Sequence, residues 1–229
     1  MAAMDLAVPA IAPPILPIHH TSLGFPVNNV YCVGRNYADH AVEMGHDPNR
    51  EPPFFFMKPG FSVLAGGGEL QYPALTEDVH HEVELVLALS SGGQNITQEQ
   101  ASACVYGYAV GLDLTRRDLQ AEAKSAGRPW DAGKVFLHSA PCSSIVPMPG
   151  EFLEQGDIQL RVNGEVKQSG NINQMIWKLP EIVSRLSELF PLYPGDLIFT
   201  GTPAGVGPIK PGDKLRATAV NMELDVEVR

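Results

Sequence analysis

Two glutamates separated by one residue are the first feature of the sequence that could do chemistry. Glu82 and Glu84 lie in residues 82–89, where the alternation of residue types predicts a β-strand. Successive side chains of a strand point to opposite faces, so the two carboxylates share one face about 7 Å apart. Like charges this close raise each other's pKa unless a cation lies between them, so the pair indicates Mg2+ or Mn2+. The alternative is a solvated strand face.

Asp113 could supply a third carboxylate to the same place. It follows a predicted buried strand at residues 105–112 and precedes a predicted helix at residues 115–126. Sites gather at the ends of strands, which favours a third metal ligand, whereas the position before a helix favours an N-cap. Arg117 and Gln120 on the following helix could reach the same region.

His40 and Glu43 form a second candidate pair. They are three residues apart in a helix predicted for residues 36–45, so their side chains are neighbours. A carboxylate beside an imidazole orients the ring and raises its basicity, which is the arrangement of a general base. The alternative is an ordinary exposed pair. His80, on the same strand face as Glu82, could be a spare ligand or a neighbour of the site.

A glycine-rich loop could bind an anion. Residues 200–207 (TGTPAGVG) follow a predicted strand at 197–200 but lack the Gly-Lys-Ser/Thr ending of a P-loop. The loop is either a tight turn or a set of backbone N–H and threonine hydroxyl donors for a carboxylate. Lys58 and Lys134 are candidate anion partners, unless they are surface lysines. No Gly-x-Ser-x-Gly elbow and no cysteine in a nucleophile context occurs, which argues against acyl-enzyme chemistry.

Composition excludes several classes of protein. The chain has 229 residues, 44% hydrophobic and 18% charged, which predicts a globular protein with one domain or at most two. A net charge of −10 and the lack of a polybasic or long apolar segment argue against a nucleic-acid or membrane partner. Three cysteines without CxxC spacing exclude a disulfide framework and a zinc finger, and predict a reducing compartment, the cytoplasm.

The elements that must position these residues are short. The chain has 22 glycines and 20 prolines, which predicts many turns and a β-rich domain. Asn163-Gly164 predicts a hairpin turn, and Thr97 with Gln100 a capping box. The other predicted strands are residues 30–33, 54–57, 158–162, 165–168, 214–219 and 223–228, and the other predicted helical segments are residues 97–104 and 180–190.

The order of these elements is not a regular β-α alternation, so a doubly wound sheet is disfavoured. We expect a mixed α/β, β-rich fold: a β-roll or barrel-like sandwich with peripheral helices. Residues 1–29 are predicted to form an extended N-terminal arm and not a signal peptide. Prolines interrupt the apolar segment, and no lysine or arginine precedes Arg35. Residues 30–229 are predicted to form a single catalytic domain.

Six segments in order give the sequence a resemblance to the fumarylacetoacetate hydrolase family, in its short single-domain branch. They are residues 31–45 (YCVGRNYADHAVEMG), 53–59 (PFFFMKP), 81–87 (HEVELVL), 107–120 (GYAVGLDLTRRDLQ), 134–136 (KVF) and 200–207 (TGTPAGVG). The resemblance implies the fold of the family's C-terminal domain and a homodimer.

The resemblance also implies a metal centre and a base. Glu82, Glu84 and Asp113 would bind Mg2+ or Mn2+. His40 and Glu43 would form the base, on a lid that orders when substrate binds.

Further residues receive roles from the resemblance. Lys134 would be a third catalytic residue, offsetting negative charge at the oxyanion. The implied substrate contacts are Arg35, Arg117, Gln120 and Thr202.

The implied activity is hydrolysis of a carbon–carbon bond in a small acidic diketo substrate. Residues 31–59 are most similar to family members that convert fumarylpyruvate to fumarate and pyruvate in gentisate degradation. An alternative is an oxaloacetate decarboxylase or acylpyruvase, or an isomerase-decarboxylase of homoprotocatechuate degradation. A further alternative is a non-catalytic, metal-stapled domain that binds a 2-oxo acid.

Overall fold

The computed structural model describes residues 7–43 and 51–229. The strands, numbered along the chain, are β1 (Ile15–Pro17), β2 (Gly24–Pro26), β3 (Val30–Gly34), β4 (Phe54–Lys58), β5 (Val63–Ala65), β6 (Gly68–Leu70), β7 (Val79–His81), β8 (Val83–Leu89), β9 (Val105–Leu112), β10 (Thr115–Arg116), β11 (Ala140–Cys142), β12 (Val146–Pro147), β13 (Asp157–Val162), β14 (Glu165–Asn171), β15 (Leu197–Phe199), β16 (Gly207–Ile209), β17 (Lys214–Ala219) and β18 (Met222–Val228). The α-helices are α1 (Ala38–Glu43), α2 (Gln98–Ala101), α3 (Arg117–Ser125), α4 (Asp131–Lys134) and α5 (Leu179–Leu189).

Two larger sheets form the body of the molecule. The first has the strand order β4-β3-β15-β8-β9-β11-β5, with β12 paired to β9, and the second has the order β14-β13-β17-β18-β6. Small sheets β10-β7-β16 and β1-β2 lie beside them. The predicted β-rich, mixed α/β class with few helices is therefore confirmed. Among the described residues, no helix is long and apolar enough to cross a membrane.

Strand β8 is buried on both faces, which the sequence alternation alone did not require. Leu85 and Leu87 pack in the core cluster that includes the second sheet and α5, whereas Val86 and Ala88 pack in a second cluster. That second cluster also contains Leu16, from β1. The β1–β2 hairpin therefore covers the face that a solvated strand would expose. Part of the chain segment expected as an extended arm, residues 15–26, is folded in this way.

A break between two strands lies at Glu82, the first residue of the strand predicted for residues 82–89. Before Glu82, β7 pairs with β10 and β16 in a small sheet, and after it β8 pairs with β9 and β15 in the large sheet. The predicted strand is therefore present as β8 but begins one residue later, because Glu82 lies where the pairing partners change. The break leaves Glu82 at the junction between two sheets.

The predicted hairpin turn and capping box are present, and one predicted helix begins later than expected. Asn163 and Gly164 both have positive φ, 53° and 86°, as the predicted two-residue hairpin turn requires. The capping box of Thr97 and Gln100 is present at α2. The helix predicted for residues 115–126 begins later, at Arg117, because Thr115 pairs with β7 as part of β10. The predicted end of the first helix, at residue 45, lies outside the described residues.

Candidate active site

Three acidic side chains lie together at one end of the large sheet. Glu82 is at the break before β8, Glu84 is on β8, and Asp113 immediately follows β9. The antiparallel pairing of β8 with β9 places Gly111 opposite Glu84, and the Asp113 N–H donates to the Glu82 carbonyl at 2.8 Å. One carboxylate oxygen from each acid lies within 4.8 Å of the others. The predicted trio is therefore brought together by strand register.

All three carboxylates are buried, with 5% of Glu82, 2% of Glu84 and 2% of Asp113 exposed. Glu82 is paired to Arg117 at 2.5 Å and to Lys134 at 2.8 Å. Burial alone would raise the pKa of Glu82, but the charges of Lys134 and Arg117 hold that pKa well below its ordinary range. Asp113 is the bridge between two lysines rather than the N-cap considered as its alternative role.

Of the three acids, Glu84 has the fewest partners among the described residues. Its Oε2 accepts the Gly201 N–H at 2.7 Å, and none of the ion pairs formed by the described residues includes it. Burial raises the pKa of Glu84 well above its usual value, and the charges of Asp113 and Glu82 raise it further. A divalent cation would remove this repulsion, and three carboxylates form an oxygen donor set that suits Mg2+ or Mn2+.

Lys134 is buried between the acids, with 3% of its surface exposed. Its Nζ lies 2.6 Å from Asp113 Oδ2 and donates to Thr115 Oγ1 at 2.7 Å. Burial alone would lower the pKa of Lys134, but Asp113 and Glu82 raise it above its ordinary value. Lys134 is therefore a fixed positive charge at the site, and the alternative of a surface lysine was wrong.

Lys58 is completely buried, so its alternative as a surface lysine was also wrong. Its Nζ lies 2.9 Å from Asp113 Oδ1 and donates to the carbonyls of Leu114, Lys134 and Ser139 at 3.0, 2.5 and 3.0 Å. The ammonium group therefore makes its hydrogen bonds and its ion pair within the protein. Lys58 therefore holds Asp113 and the backbone of Lys134 in place, and it is not the free anion partner that the sequence suggested.

His40 lines the cleft that contains the three acids, and Glu43 pairs with it. His40 Nδ1 lies 3.2 Å from Glu43 Oε2, and His40 is largely buried. The Glu43 carboxylate also accepts the N–H of Gly205, at 3.0 Å and 3.2 Å to its two oxygens. Helix α1 is thus attached to the glycine-rich loop. With Nδ1 donating to Glu43, the other ring nitrogen is left to accept a proton.

Glu82, Glu84, Asp113, Lys134 and His40 line one cleft. The remaining predicted site residues, Arg35, Arg117, Gln120 and Thr202, also line it. His80 does not, because its ring turns to Asp78 at 2.9 Å, so the expectation of a spare ligand was wrong.

The cleft has lining residues that the sequence reasoning missed. Lys124 lies with its ammonium 5.0 Å from the centre of the Trp130 ring, and burial together with the nearby charge of Arg117 lowers its pKa. Phe54 meets Trp130 edge to face at 5.3 Å and lies under Arg35. Lys124 could have been found, because it follows Gln120 by four residues and shares a face of α3.

The cysteine thiols take no part in this arrangement. Cys32, Cys104 and Cys142 are free and buried. Burial raises the pKa of Cys142 to about 12 and, with the charge of Asp113, raises that of Cys32. These two thiols therefore stay protonated at neutral pH, in agreement with the expected lack of a cysteine nucleophile.

Comparisons with known proteins identify the family. The family described as fumarylacetoacetate (FAA) hydrolase C-terminal matches residues 29–228. Fumarylpyruvate hydrolase of Ralstonia sp is 48% identical over 169 residues, which cover 74% of this chain and 88% of that protein. A mitochondrial oxaloacetate decarboxylase of Dictyostelium discoideum is 40% identical over 200 residues, covering 86% of this chain and 91% of that protein.

The fold is also that of a solved structure. Fumarylpyruvate hydrolase from Pseudomonas aeruginosa, in complex with Mn2+ and pyruvate, superposes with a TM-score of 0.94 at 47% sequence identity. The match covers 98% of this chain and 99% of that one.

Proposed function

The chain belongs to the fumarylacetoacetate hydrolase family, and from that premise we propose that it hydrolyses a carbon–carbon bond of an acylpyruvate, converting fumarylpyruvate to fumarate and pyruvate. The observation that carries the proposal is the placement of His40, which is paired with Glu43, in the same cleft as three buried carboxylates. A site that only stapled the fold with metal would need no base.

The metal centre in this proposal consists of Glu82, Glu84 and Asp113, holding Mg2+ or Mn2+. A bound ion would act as a Lewis acid that stabilises the enolate form of the 2-oxo acid. The buried Glu84 carboxyl, whose ionised form is disfavoured by burial and by Asp113 and Glu82, supports this assignment, as does the Mn2+ bound by the Pseudomonas aeruginosa enzyme.

The chemical step uses the chain's own base. His40, oriented by Glu43, takes a proton from a water molecule, and the hydroxide adds to the distal keto carbon. The bond from that carbon to the methylene carbon breaks, and its electron pair stays on the methylene carbon. That carbon takes the proton back from His40 and becomes the methyl group of pyruvate, while the new carboxylic acid releases its proton to solvent.

Positive charge in the cleft supports an acidic substrate. Lys134 offsets negative charge that develops on the attacked carbonyl oxygen. Arg35, Arg117 and Lys124 also line the cleft in a chain whose net charge is −10, so the local charge opposes the global one. Gln120 and Thr202 supply neutral hydrogen-bonding groups.

The test is an assay of the purified protein with fumarylpyruvate, in Mg2+ and in EDTA. The loss of enol absorbance is followed while pyruvate, fumarate and CO2 are measured. We expect equimolar pyruvate and fumarate, without CO2, in Mg2+ only. Turnover that survives chelation, or no turnover with metal bound, would contradict the proposal.

A second candidate is decarboxylation of oxaloacetate, favoured by the identity with the Dictyostelium discoideum enzyme. It would use the same carboxylates and the same Lewis acid, without hydroxide addition to a ketone. Metal-dependent release of CO2 from oxaloacetate, with fumarylpyruvate left intact, would select this candidate.

We also propose that the protein is a cytoplasmic homodimer. The family resemblance supports the dimer, and three free cysteines support a reducing compartment. Light scattering coupled to size-exclusion chromatography tests the dimer.

A further inference from the structure

One glutamine that the sequence pattern did not single out connects the acidic cluster to the glycine-rich loop. Gln168 lies on β14 with 1% of its surface exposed, and its amide makes four hydrogen bonds. Oε1 accepts from Val83 N at 3.0 Å and lies 3.0 Å from His81 Nδ1, whereas Nε2 donates to Thr202 Oγ1 and to Pro203 O, both at 2.8 Å.

The orientation of this amide is fixed by two partners with a single possible role. The Val83 N–H can only donate, so the amide oxygen must face it, and the Pro203 carbonyl can only accept, so the NH2 group must face that side. The NH2 group therefore also faces Thr202. The hydroxyl oxygen of Thr202 is consequently the acceptor of that bond.

This bond determines what the Thr202 hydroxyl can do. Its proton must point away from Gln168, since the amide nitrogen there is a donor, and Thr202 lines the cleft. The hydroxyl is thus available as a donor to an acceptor in the cleft, such as a carboxylate or keto oxygen. On the other side, the amide oxygen bonds to the residues on either side of Glu82.

The loop lies tightly against the strand that carries Gln168. A Cβ on Gly205 would lie 2.1 Å from the Lys167 carbonyl oxygen, and a Cβ on Gly170 would lie 2.8 Å from the Pro203 side chain. Gly205 also has φ of +95°, which favours glycine. Thr202 is therefore held at a fixed distance from β14, so that the direction of its hydroxyl depends on Gln168.

We propose that Gln168 is a positioning residue that turns the Thr202 hydroxyl into a donor for the 2-oxo acid in the cleft. This role rests on the proposed function, because it assumes that the ligand is an anionic oxygen acceptor. Gln168 itself touches no substrate.

Binding of pyruvate to the Mn2+-loaded protein, measured by calorimetry, tests the proposal without requiring turnover. Gln168→Glu keeps acceptors for Val83 and His81 but puts an acceptor against the Thr202 hydroxyl, which would reverse its direction. We expect this variant and Thr202→Val each to bind pyruvate about 10- to 100-fold more weakly, the range for a hydrogen bond to a charged group. Thr202→Ser restores the hydroxyl and is expected to restore most of the affinity.

Coupling separates positioning from a general structural effect. The double variant combines Gln168→Glu with Thr202→Val. If Gln168 acts through Thr202, this double variant binds pyruvate no more weakly than Thr202→Val alone. Gln174→Glu is the matched control, since Gln174 is exposed and its Oε1 already accepts the Asn171 N–H at 2.7 Å. Mn2+ affinity and thermal melting, measured for each variant, show whether the site and the fold persist.

Four results would overturn the proposal. Wild-type pyruvate affinity in Gln168→Glu would do so, as would losses that multiply in the double variant. If Gln168→Glu does not fold, Thr202→Val is still a test. Unchanged pyruvate binding in Thr202→Val would show that pyruvate does not use the hydroxyl that Gln168 is proposed to orient. Wild-type protein that binds Mn2+ but no pyruvate would overturn both this role and the proposed function, whereas pyruvate binding without fumarylpyruvate turnover would contradict only the proposed hydrolysis.

Discussion

The carboxylate of Glu43 accepts the backbone N–H of Gly205 at 3.0 Å, across 162 positions of the chain. The same carboxylate lies beside the His40 ring, so one side chain both orients the proposed base and attaches its helix to the glycine-rich loop. The position of the base and the position of the loop are therefore linked. A substitution that releases Glu43 should affect both.

The first prediction concerns the base. His40→Ala should lower kcat about 10²- to 10⁴-fold, the usual contribution of a general base. Mn2+ affinity should stay within about twofold of the wild type, because His40 is not among the three clustered acids. Steady-state kinetics and calorimetry of both proteins make the comparison. Near-normal turnover in His40→Ala would show that another group activates the water.

The second prediction separates the two roles of Glu43. Glu43→Gln keeps an oxygen that can accept the Gly205 N–H, whereas Glu43→Ala removes it. Both variants lose the charge beside His40, so both should lose kcat, and Glu43→Ala should in addition show faster proteolysis of the chain around α1. Limited proteolysis with mass spectrometry measures this. Equal protection in the two variants would mean that the Gly205 contact does not hold the helix.

The third prediction concerns metal and stability. Glu84→Gln replaces a buried carboxylate that is raised in energy by burial, Asp113 and Glu82. The chelated variant should melt higher than chelated wild type by a few degrees, since about 1 kcal/mol moves Tm by about 2–4 °C at this chain length. Mn2+ should stabilise the wild type by mass action but should do little for the variant.

The control for this prediction is a carboxylate outside the cluster. Glu165→Gln changes the same group on an exposed strand position, where Glu165 pairs with the exposed Lys167. It should leave the free energy of unfolding, with and without Mn2+, unchanged within about 0.5 kcal/mol. If the Glu84→Gln protein in EDTA melts below the wild type in EDTA, the interpretation that burial and the neighbouring acids destabilise the Glu84 carboxylate is contradicted.

The acidic trio could be predicted because it depends on local pattern. Glu82 and Glu84 follow from strand periodicity, and Asp113 follows from its place at the end of a buried strand. What joins them is the register of β8 with β9, which are consecutive strands along the chain connected by residues 90–104, including α2. The resemblance to a family then assigned the ligands and the base to particular residues.

The supporting groups could not be predicted because their environment is made by distant segments. The Lys58 ammonium donates to the carbonyls of Leu114, Lys134 and Ser139, none of which is near Lys58 in sequence. Gln168 lies in a polar strand, EVKQSGN, that gives no sign of a buried residue. The break at Glu82 likewise depends on pairing of β7 with β16, far along the chain.

The fourth prediction concerns Lys58. Lys58→Met fills the same space but leaves Asp113 with one lysine fewer and three carbonyls without a donor. Removing one partner of a buried ion pair typically costs about 3–5 kcal/mol, so the free energy of unfolding should fall by about that amount. Lys167→Met is the matched control, because Lys167 pairs with Glu165 at the surface and such pairs contribute about 0–1 kcal/mol. Chemical denaturation of the metal-free proteins measures both, and equal losses would mean that Lys58 does not support the site.

The last prediction concerns which substrates the cleft prefers. Lys124 and Arg35 line the cleft beside Trp130 and Phe54, and no partner carboxylate of the described residues forms an ion pair with either cation. An acylpyruvate that carries a second carboxylate can supply that partner, whereas acetylpyruvate cannot. Lys124→Met should therefore lower kcat/KM about tenfold for fumarylpyruvate, corresponding to about 1.4 kcal/mol, and much less for acetylpyruvate.

The ratio of the two kcat/KM values is the decisive quantity, because a general disturbance of the site would lower both alike. Lys210→Met, at an exposed position outside the residues that line the cleft, should leave the ratio unchanged. If Lys124→Met also leaves the ratio unchanged, the second carboxylate is bound elsewhere. A ratio that moves with salt concentration in the wild type but not in Lys124→Met would identify the ammonium of Lys124 as the source of the preference, since screening acts on the charge and not on the shape of the cleft.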